Sequence, residues 1–544
     1  MKFSLLSCGA LAVMLAPHAF AVQTSPTSST EHRLTARQMD MAWQKATAKY
    51  EPERRRILSR VERGMDNGPY KADWASLQHY RAPTWYDNAK FGIFIHWGVY
   101  SVPAFGSEWY SRRMYKRGSK EFDHHVATYG PQAKFGYKDF IPRFKAQHFD
   151  PSAWARLFRA AGARYVVQVA EHHDGFAMYN SKLSDWTAVK MGPKRDLVGA
   201  LEKAVRAQGL HFGVSSHRAE HDWFFDTGRQ IDSDVNDPRY AGLYGPAEPR
   251  IYDGNDMHLA KDWTYVSQAF LDDWLARTAE LIDDYHPDLI YFDWWIGQPS
   301  FRNTLPKMLA YYYNRGRSWG GVVVNYKLGD FAPGAGTLDI ERGQLNGIQA
   351  RHWQTDTSVS NDSWGYVEND TYKTPGFIVR LLVDVVSKNG NLLLNIGPRA
   401  DGTIPAAEQG ILHAIGRWLK ANGRAIYDTR PWRVSGEGPT KVVSGSFHDT
   451  KTSAYTAADF RFTTRDGDLY AIEMAWPADG KAVIHAIKPT DHVRDVRLLA
   501  DGREVTWKQQ ADGLHLALPA RPVGEYAYAF RIAFSKPVST KGHP

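Results

Sequence analysis

The sequence predicts an α/β fold, a (β/α) TIM-like barrel, followed by a C-terminal antiparallel β-sandwich. Three observations lead to this prediction. Short apolar strands alternate with amphipathic helices between residues 91 and 420, and polar residues cluster where these strands end. After residue 431, short runs of alternating polarity are separated by Asp-Gly turns instead. The alternation is typical of parallel strands with crossover helices, and the Asp-Gly turns are typical of antiparallel hairpins.

Each barrel strand is predicted from an apolar run that is too short for a helix. The clearest run is 289–292, which has no charge and no helical spacing, as expected of a strand buried on both faces. The other predicted strands lie at 91–97, 164–170, 211–216, 321–325, 338–341 and 392–396. The predicted helices lie at 151–161, 197–208, 266–284, 303–314, 375–388 and 405–420. This many repeats favours a closed barrel over an open doubly wound sheet, and no strand leads into the Gly-x-Gly-x-x-Gly turn of a dinucleotide site.

Length and changes of composition predict four segments in the 544-residue chain. Residues 1–21 combine a basic start, an apolar run and a small-residue end, as in a secretory signal peptide. Residues 22–80 are predicted to form a disordered Ser/Thr-rich leader and a helical extension. Residues 81–430 are predicted to form the barrel catalytic domain, and residues 431–544 the β-sandwich domain.

The only cysteine of the sequence, Cys8, lies inside the predicted signal peptide. We therefore expect a mature protein that has neither disulfides nor thiol chemistry, although it is exported. This combination favours a bacterial-type periplasmic or secreted enzyme over an animal one.

The formal charge of +8 does not indicate a nucleic-acid site. Its only basic cluster, residues 54–56, lies in a predicted helical stretch that also carries Glu51, Glu53 and Glu62. A solvated helix face is the simpler interpretation of such mixed charge. No segment after the signal peptide is long and apolar enough to cross a bilayer, so we expect neither a nucleic-acid nor a membrane partner.

The residues at the predicted strand ends indicate carbohydrate chemistry. Asp293 follows the apolar run 289–292 directly, and for a single Asp a helix cap or an ion pair is an open alternative. In a barrel, however, the carboxyl ends of all strands meet at one mouth. Two carboxylates, neutral hydrogen-bond donors and aromatic walls are what glycoside hydrolysis requires. The strand-end residues are His96, Trp97, Glu108, Trp109, His172, His173, His217, Asp293, Trp294, Lys327 and Glu341.

Four segments resemble the α-L-fucosidases of glycoside hydrolase family 29. They are FGIFIHWGVYSVPAFGSEWY at 91–110, AEHHDGFAMYNSKLSDW at 170–186, NDSWGY at 361–366 and LVDVVSKNGNLLLNIGPRADGTIP at 382–405. The resemblance covers roughly residues 80–430 and implies a barrel with a C-terminal β-sandwich. It further implies a retaining exo-α-L-fucosidase that acts on fucosylated oligosaccharides or glycoconjugates and needs no metal or organic cofactor.

The resemblance implies that Asp293 is the nucleophile, which forms a covalent fucosyl-enzyme and must have a low pKa. Glu341 matches the acid/base position best, and an ion pair with Arg342 or another cation is the alternative to a catalytic role. Asp356 and Glu108 are rivals for the acid/base, although Glu108 fits sugar binding better. Retaining chemistry places the nucleophile and acid/base carboxyl groups about 5 to 5.5 Å apart.

The resemblance also implies a fucose-binding set. His96, Glu108, Trp109, His172 and His173 match positions that hold fucose hydroxyls, and Trp364 is the candidate wall for the fucose methyl group. Three further predicted binding residues depart from the family pattern, namely Tyr291 in place of a Trp, Lys327 in place of an Arg, and His217 where tyrosines are common.

Two rival functions remain from the sequence. The run His217-Arg218-Ala219-Glu220-His221 matches the H-x-x-E-H pattern of inverzincin metallopeptidases, but it follows a predicted strand, whereas that pattern needs a helix. The second rival is a barrel that binds fucose without catalysis. Both intended carboxylates are present, which favours the enzyme.

Overall fold

The computed structural model describes residues 34–250, 265–327 and 329–538, so the predicted signal peptide and most of the leader lie outside the described residues. Within these ranges, eight parallel strands form a closed barrel in which each strand pairs with the next and the first pairs with the last. The predicted fold class is confirmed. The barrel strands are β1 (Phe91–Ile95), β2 (Tyr165–Glu171), β3 (His211–Ser216), β4 (Leu289–Phe292), β5 (Val323–Tyr326), β6 (Thr337–Glu341), β7 (Trp353–Ser358) and β8 (Gly390–Ile396).

Strand β7 is the barrel strand that the apolar runs do not predict. Its sequence WQTDTS is mostly polar, yet all six residues are buried. Its polar side chains have partners inside the barrel, since Gln354 Oε1 accepts hydrogen bonds from the hydroxyls of Tyr86 and Tyr165 at 2.8 and 2.9 Å. A search for apolar runs misses such a strand. The described residues between β5 and β6, and between β6 and β7, contain no helix either, so the predicted alternation is incomplete there.

Several of the helices start at polar side-chain caps. Asp150 accepts hydrogen bonds from two backbone N–H groups at the start of the seventh helix, and Thr374 accepts one at the start of the twelfth. None of the helices in the described ranges is long and apolar enough to cross a bilayer. They are α1 (Ala36–Thr47), α2 (Glu51–Met65), α3 (Trp74–Leu77), α4 (Thr84–Ala89), α5 (Tyr110–Arg113), α6 (Lys120–Tyr129), α7 (Pro151–Ala160), α8 (Leu197–Ala207), α9 (Ala241–Tyr244), α10 (Gln268–Tyr285), α11 (Leu305–Gly316), α12 (Pro375–Ser387) and α13 (Ala406–Asn422).

The C-terminal region consists of two antiparallel sheets that share one apolar core. Phe462 and Leu469 from the five-stranded sheet and Leu514 from the three-stranded sheet belong to this core. The Asp466-Gly467 turn joins two of the strands, and both turn residues have positive φ, at 53° and 85°. The strands are β9 (Arg430–Glu437), β10 (Phe460–Arg465), β11 (Asp468–Glu473), β12 (Lys481–Ile484), β13 (Val493–Leu498), β14 (Thr506–Gln510), β15 (Gly513–Ala517) and β16 (Tyr528–Phe534).

The connection between β9 and β10 reaches the mouth of the barrel. Its segment Gly445–Asp449 runs beside the turn that follows β6. Three backbone hydrogen bonds of 2.8 Å, from the N–H groups of Gly445, Phe447 and Asp449 to Gln344, Glu341 and Arg342, hold the two segments together. The C-terminal region therefore contributes a segment to the end of the barrel at which the site lies.

Candidate active site

A cavity of about 830 Å³ opens at the carboxyl ends of the barrel strands. Its size lies within the usual range of small-molecule sites. Of the predicted catalytic and binding residues, Lys327 alone is not in the lining, and its side chain is 1% exposed. Trp97, a strand-end residue without an assigned role, is also outside the lining and is fully buried. The predicted residues that line the cavity are His96, Glu108, Trp109, His172, His173, His217, Tyr291, Asp293, Glu341 and Trp364.

Asp293 lies directly after β4, where its carboxylate meets two histidines. Its Oδ2 lies 3.0 Å from His217 Nδ1 and 3.4 Å from His173 Nε2. Burial acts to raise the pKa of Asp293, but the two imidazoles hold it well below its usual range. Asp293 is therefore an ionised carboxylate at neutral pH, as a nucleophile must be.

The two histidines that contact Asp293 differ in their charge. Burial lowers the pKa of His217, which is neutral and also pairs through Nε2 with the hydroxyl of Ser215 at 2.6 Å. Burial acts on His173 in the same direction, but the carboxylates of Glu220 and Asp293 raise the pKa of His173 to about 9. His173 thus supplies a positive charge to Asp293, and His217 supplies a neutral N–H donor.

Glu341 is the last residue of β6, and the pKa of its carboxyl group is shifted in the opposite direction. Burial raises the pKa of Glu341 above its usual value, although the Lys327 ammonium opposes this shift. Trp294 Nε1 donates a hydrogen bond to Glu341 Oε2 at 2.5 Å. Since Trp294 follows Asp293 in the chain, its indole links the two candidate catalytic residues. A carboxyl group that retains its proton more readily than usual can act as a general acid.

Lys327 lies behind the cavity wall among three carboxyl groups. Its Nζ lies 2.9 Å from Asp339 Oδ2, 3.3 Å from Glu341 Oε2 and 3.5 Å from Asp356 Oδ2. Burial acts to lower the pKa of Lys327, but these carboxylates hold it well above its usual value. Its ion pairs are with these acidic groups, and Lys327 does not line the cavity, so sugar binding by Lys327 stays a prediction.

Asp356, the first rival for the acid/base role, is tied to its neighbours. Its Oδ2 accepts a hydrogen bond of 2.6 Å from the hydroxyl of Tyr291. Burial and the adjacent Asp339 carboxylate raise the pKa of Asp356 well above its usual value. Asp356 is 1% exposed whereas Glu341 is 8% exposed, so Glu341 is the more accessible of the two to a substrate.

Glu108, the second rival, is held as a hydrogen-bond acceptor. Its Oε2 accepts from the N–H of Trp364 at 2.9 Å and from the hydroxyl of Ser363 at 3.2 Å. These contacts join Glu108 to the turn that carries Trp364, whose ring lies beneath the guanidinium of Arg342 at 4.6 Å. Glu108 and Trp364 therefore form one unit of the cavity wall.

His96 and His172 form a neutral part of the same wall. Burial lowers the pKa of both groups well below the usual value, so both imidazoles are uncharged at neutral pH. His96 Nδ1 contacts Asn395 Oδ1 at 2.8 Å, which leaves Nε2 for other partners. Trp109 packs its ring 5.5 Å from His173. Buried neutral donors and acceptors discriminate between hydroxyl epimers because a wrong epimer leaves one of them unpaired.

Two overlapping sets of side chains could in principle bind a cation. They are His96 with His172 and His217, and His173 with His217 and Asp293, and the ligand atoms within each set lie within 4.8 Å of one another. The H-x-x-E-H pattern does not form such a site. His221 lies outside the cavity lining, where its Nδ1 contacts His173 O at 2.8 Å, and its ring packs against Gly175 and Gly245.

The structure adds further residues to the predicted site, among them Glu220, Asn395 and Phe447. Glu220 lines the cavity 3.8 Å from His173, and Asn395 positions His96. Phe447, from the connection between β9 and β10, lies at the mouth. Glu220 follows the predicted strand 211–216 and Asn395 lies near the end of the predicted strand 392–396, so a search of strand ends could have found them, but no local pattern marks Phe447.

An ionised carboxylate and a protonatable carboxyl group in a cavity with aromatic and histidine walls, at the mouth of a (β/α) barrel, define a glycoside hydrolase. The comparisons with known proteins narrow this class. The family model for α-L-fucosidase matches residues 57–424, and the model for the α-L-fucosidase C-terminal domain matches residues 453–533. The chain belongs to the α-L-fucosidase family, as the sequence motifs indicate.

Individual relatives agree with this assignment over most of their length. The chain is 34% identical to tissue α-L-fucosidase of Rattus norvegicus over 472 residues, which cover 85% of this chain and 91% of the relative. It is 33% identical to the human tissue enzyme over 490 residues, 87% of this chain and 93% of the relative. The Thermotoga maritima α-fucosidase in complex with fucose is similar with a TM-score of 0.67 and 32% identity, over 85% of this chain and 100% of that one.

Proposed function

We propose that the protein is a retaining exo-α-L-fucosidase that releases terminal α-L-fucose from fucosylated oligosaccharides or glycoconjugates. The observation that carries the proposal is that the pKa values of two carboxyl groups in one cavity are shifted in opposite directions. Asp293 is held ionised by His217 and His173, while burial favours the protonated form of Glu341. Similar proteins support the substrate, since the related Thermotoga maritima enzyme binds fucose and a mechanism-based inhibitor.

In the first step, the Asp293 carboxylate attacks the anomeric carbon of the fucosyl unit as the glycosidic bond breaks. Glu341 transfers its proton to the departing glycosidic oxygen, so the leaving sugar departs as a neutral alcohol. The products are a fucosyl ester on Asp293 and an ionised Glu341. As negative charge leaves Asp293, the positive charge of His173 loses its partner, which favours the return of the carboxylate in the second step.

In the second step, water attacks the anomeric carbon of the fucosyl ester. Glu341 takes the proton from this water and the electron pair of the ester bond returns to Asp293, which restores both residues. Two inversions at the anomeric carbon give fucose with the α configuration of the substrate. The fucose hydroxyls are proposed to bind to His96, Glu108, Trp109, His172 and His173. The fucose methyl group is proposed to pack against Trp364.

The decisive experiment follows the product of the wild-type enzyme and of Asp293→Ala. NMR of early wild-type turnover of an aryl α-L-fucoside should show α-L-fucose before mutarotation. Azide should rescue Asp293→Ala by direct attack and yield β-L-fucosyl azide, whereas with Glu341→Ala it should yield the α-azide. Early appearance of β-L-fucose from the wild type would refute the double displacement, and full activity of Asp293→Ala would refute its nucleophile.

We also propose that the protein is exported and that its mature chain begins near Val22. The proposal is supported by the basic start, apolar run and small-residue end of residues 1–21. N-terminal sequencing of the protein from the periplasm or medium of a bacterial host tests it. A mature chain that keeps Met1, or retention in the cytoplasm, would contradict export.

A further inference from the structure

We infer that Phe447 of the C-terminal region and Trp294 of the barrel form a platform for the sugar that leaves with the glycosidic oxygen. The inference rests on the proposed function, because it assigns the leaving-group side of that site. Phe447 lies between the segments 57–424 and 453–533 that match the two family models. Phe447 lines the cavity and is 40% exposed, so its side chain is accessible to a ligand.

The two rings form one aromatic surface. Their centroids lie 6.4 Å apart and their planes differ by 17°, which is within the range of aromatic pairs. Both rings border the cavity. A pyranose presents a face of C–H groups that packs against a flat aromatic ring, so such a surface suits a hexose or N-acetylhexosamine.

The position of the Phe447 and Trp294 rings relative to Glu341 indicates which sugar binds to them. Trp294 Nε1 donates to the Glu341 carboxyl group, and the N–H of Phe447 donates to the Glu341 carbonyl at 2.8 Å. The acid/base must lie beside the glycosidic oxygen, because it protonates that atom. The surface formed by Phe447 and Trp294 therefore borders the path of the leaving sugar, whereas His96 and His172 line the part of the cavity proposed for fucose.

The segment that carries Phe447 is fixed by its contacts with the barrel. Asp449 Oδ2 accepts a hydrogen bond of 2.6 Å from the hydroxyl of Thr357, and Gly445 N donates to Gln344 O at 2.8 Å. The segments approach so closely that a Cβ on Gly343 would lie 2.2 Å from Gly445 O. Phe447 itself has φ of 61°, a conformation that is strained for an aromatic residue and persists only where the surroundings impose it. The platform is thus pre-organised rather than a loose side chain.

The test compares two substrates that share fucose and differ in the leaving group. The first is α-L-fucosyl fluoride, which has no leaving sugar. The second is whichever of α-L-fucosyl-(1→2)-galactose and α-L-fucosyl-(1→3)-N-acetylglucosamine the wild type turns over faster. In Phe447→Ala the ratio of kcat/KM for the disaccharide to kcat/KM for the fluoride should fall about fivefold, as expected for loss of one stacking contact. Phe447→Trp should keep the ratio within about twofold of wild type, because it retains an aromatic face.

Val443→Ala is the matched control, because Val443 is 38% exposed in the same connection and does not line the cavity. Its ratio should equal that of the wild type. The platform would be overturned by an unchanged ratio in Phe447→Ala or by an equal fall of the ratio in Val443→Ala. It would also be overturned if the wild type turned over the fluoride but neither of the two disaccharides. Failure of the wild type on the fluoride would instead overturn the proposed function, so the two failures are distinguishable.

Discussion

His217 Nδ1 lies 3.0 Å from Asp293 Oδ2, and this contact follows from the register of two neighbouring barrel strands. Ser216 at the end of β3 pairs with Phe292 at the end of β4. The next residue of each strand is then His217 and Asp293, so the parallel sheet places them side by side. Glu341 and Asp356 are themselves register partners across β6 and β7. Strand register therefore determines which polar groups share the mouth of the barrel.

Removal of His217 should destabilise the ionised form of the Asp293 carboxylate. In His217→Ala the pKa of Asp293 should rise, because an N–H donor to the carboxylate is lost, and the acid limb of the kcat/KM profile should move to higher pH. At neutral pH we expect kcat/KM to fall about 10- to 150-fold, since a hydrogen bond to a charged group contributes about 1.5–3 kcal/mol. His413→Ala, at an exposed position of α13, is the control. An acid limb that does not move would contradict this role of His217.

Glu341→Gln and Asp356→Asn should separate the two acid/base candidates. Loss of the general acid should lower kcat/KM about 10²- to 10⁴-fold for a disaccharide. The loss should be much smaller for an aryl fucoside with an acidic phenol, which leaves without a proton. The alkaline limb set by the raised pKa of Glu341 should also disappear in Glu341→Gln. The assignment is wrong if Asp356→Asn shows this leaving-group dependence and Glu341→Gln does not.

Glu220 should make the stability of the protein depend on pH. Burial raises the pKa of Glu220 to about 8, so between the usual value of 4.5 and pH 8 the folded state holds a proton that the unfolded state has released. The free energy of unfolding of the wild type should therefore fall as pH rises through this window. Glu220→Gln lacks this proton, so its free energy of unfolding should fall less with pH. Between pH 5 and pH 8 the difference between Glu220→Gln and wild type should change by at least about 1 kcal/mol in favour of the variant.

The raised pKa of His173, about 9, does not cancel this difference. The stability that His173 contributes is present below 6.5 and is lost as pH rises towards 9. At pH 5 the protonated Glu220 of the wild type and the amide of Glu220→Gln are both neutral neighbours of His173, so the difference between the two proteins comes from the proton of Glu220 itself. Urea denaturation at both pH values measures the difference, and parallel pH dependence of the two proteins would contradict it.

Lys327 should be essential for stability as the cation among three carboxyl groups. Lys327→Met leaves Asp339, Asp356 and Glu341 without a charged partner and should lower the free energy of unfolding by about 3–5 kcal/mol at neutral pH. Lys327→Arg keeps the positive charge, so its free energy of unfolding should fall by less than that of Lys327→Met. The deficit of Lys327→Met should shrink at acid pH, where the carboxyl groups take up protons. Thermal unfolding across pH measures both effects, and equal losses in the two variants would show that shape and not charge is decisive.

Much of the barrel was predictable because its strands and helices differ in local pattern. The run 289–292 is apolar on both faces and forms β4, and the helix predicted at 151–161 forms α7. Strand β7 was not predictable in this way, because its polar residues are buried through partners distant in the chain, such as Tyr86 and Tyr165. The pattern of a sequence reports burial only when the buried groups are apolar.

The sequence by itself determined the fold class, the family and the polar residues that follow each strand, because periodicity and motifs are local properties of a chain. Only the tertiary structure decided which of these groups meet, that Lys327 lies behind the cavity wall, and that Phe447 reaches the mouth. The physical reason is that contacts depend on strand register and pKa values depend on burial and neighbouring charge. Both arise from residues tens to hundreds of positions apart, which come together only when the barrel closes and the C-terminal region packs against it.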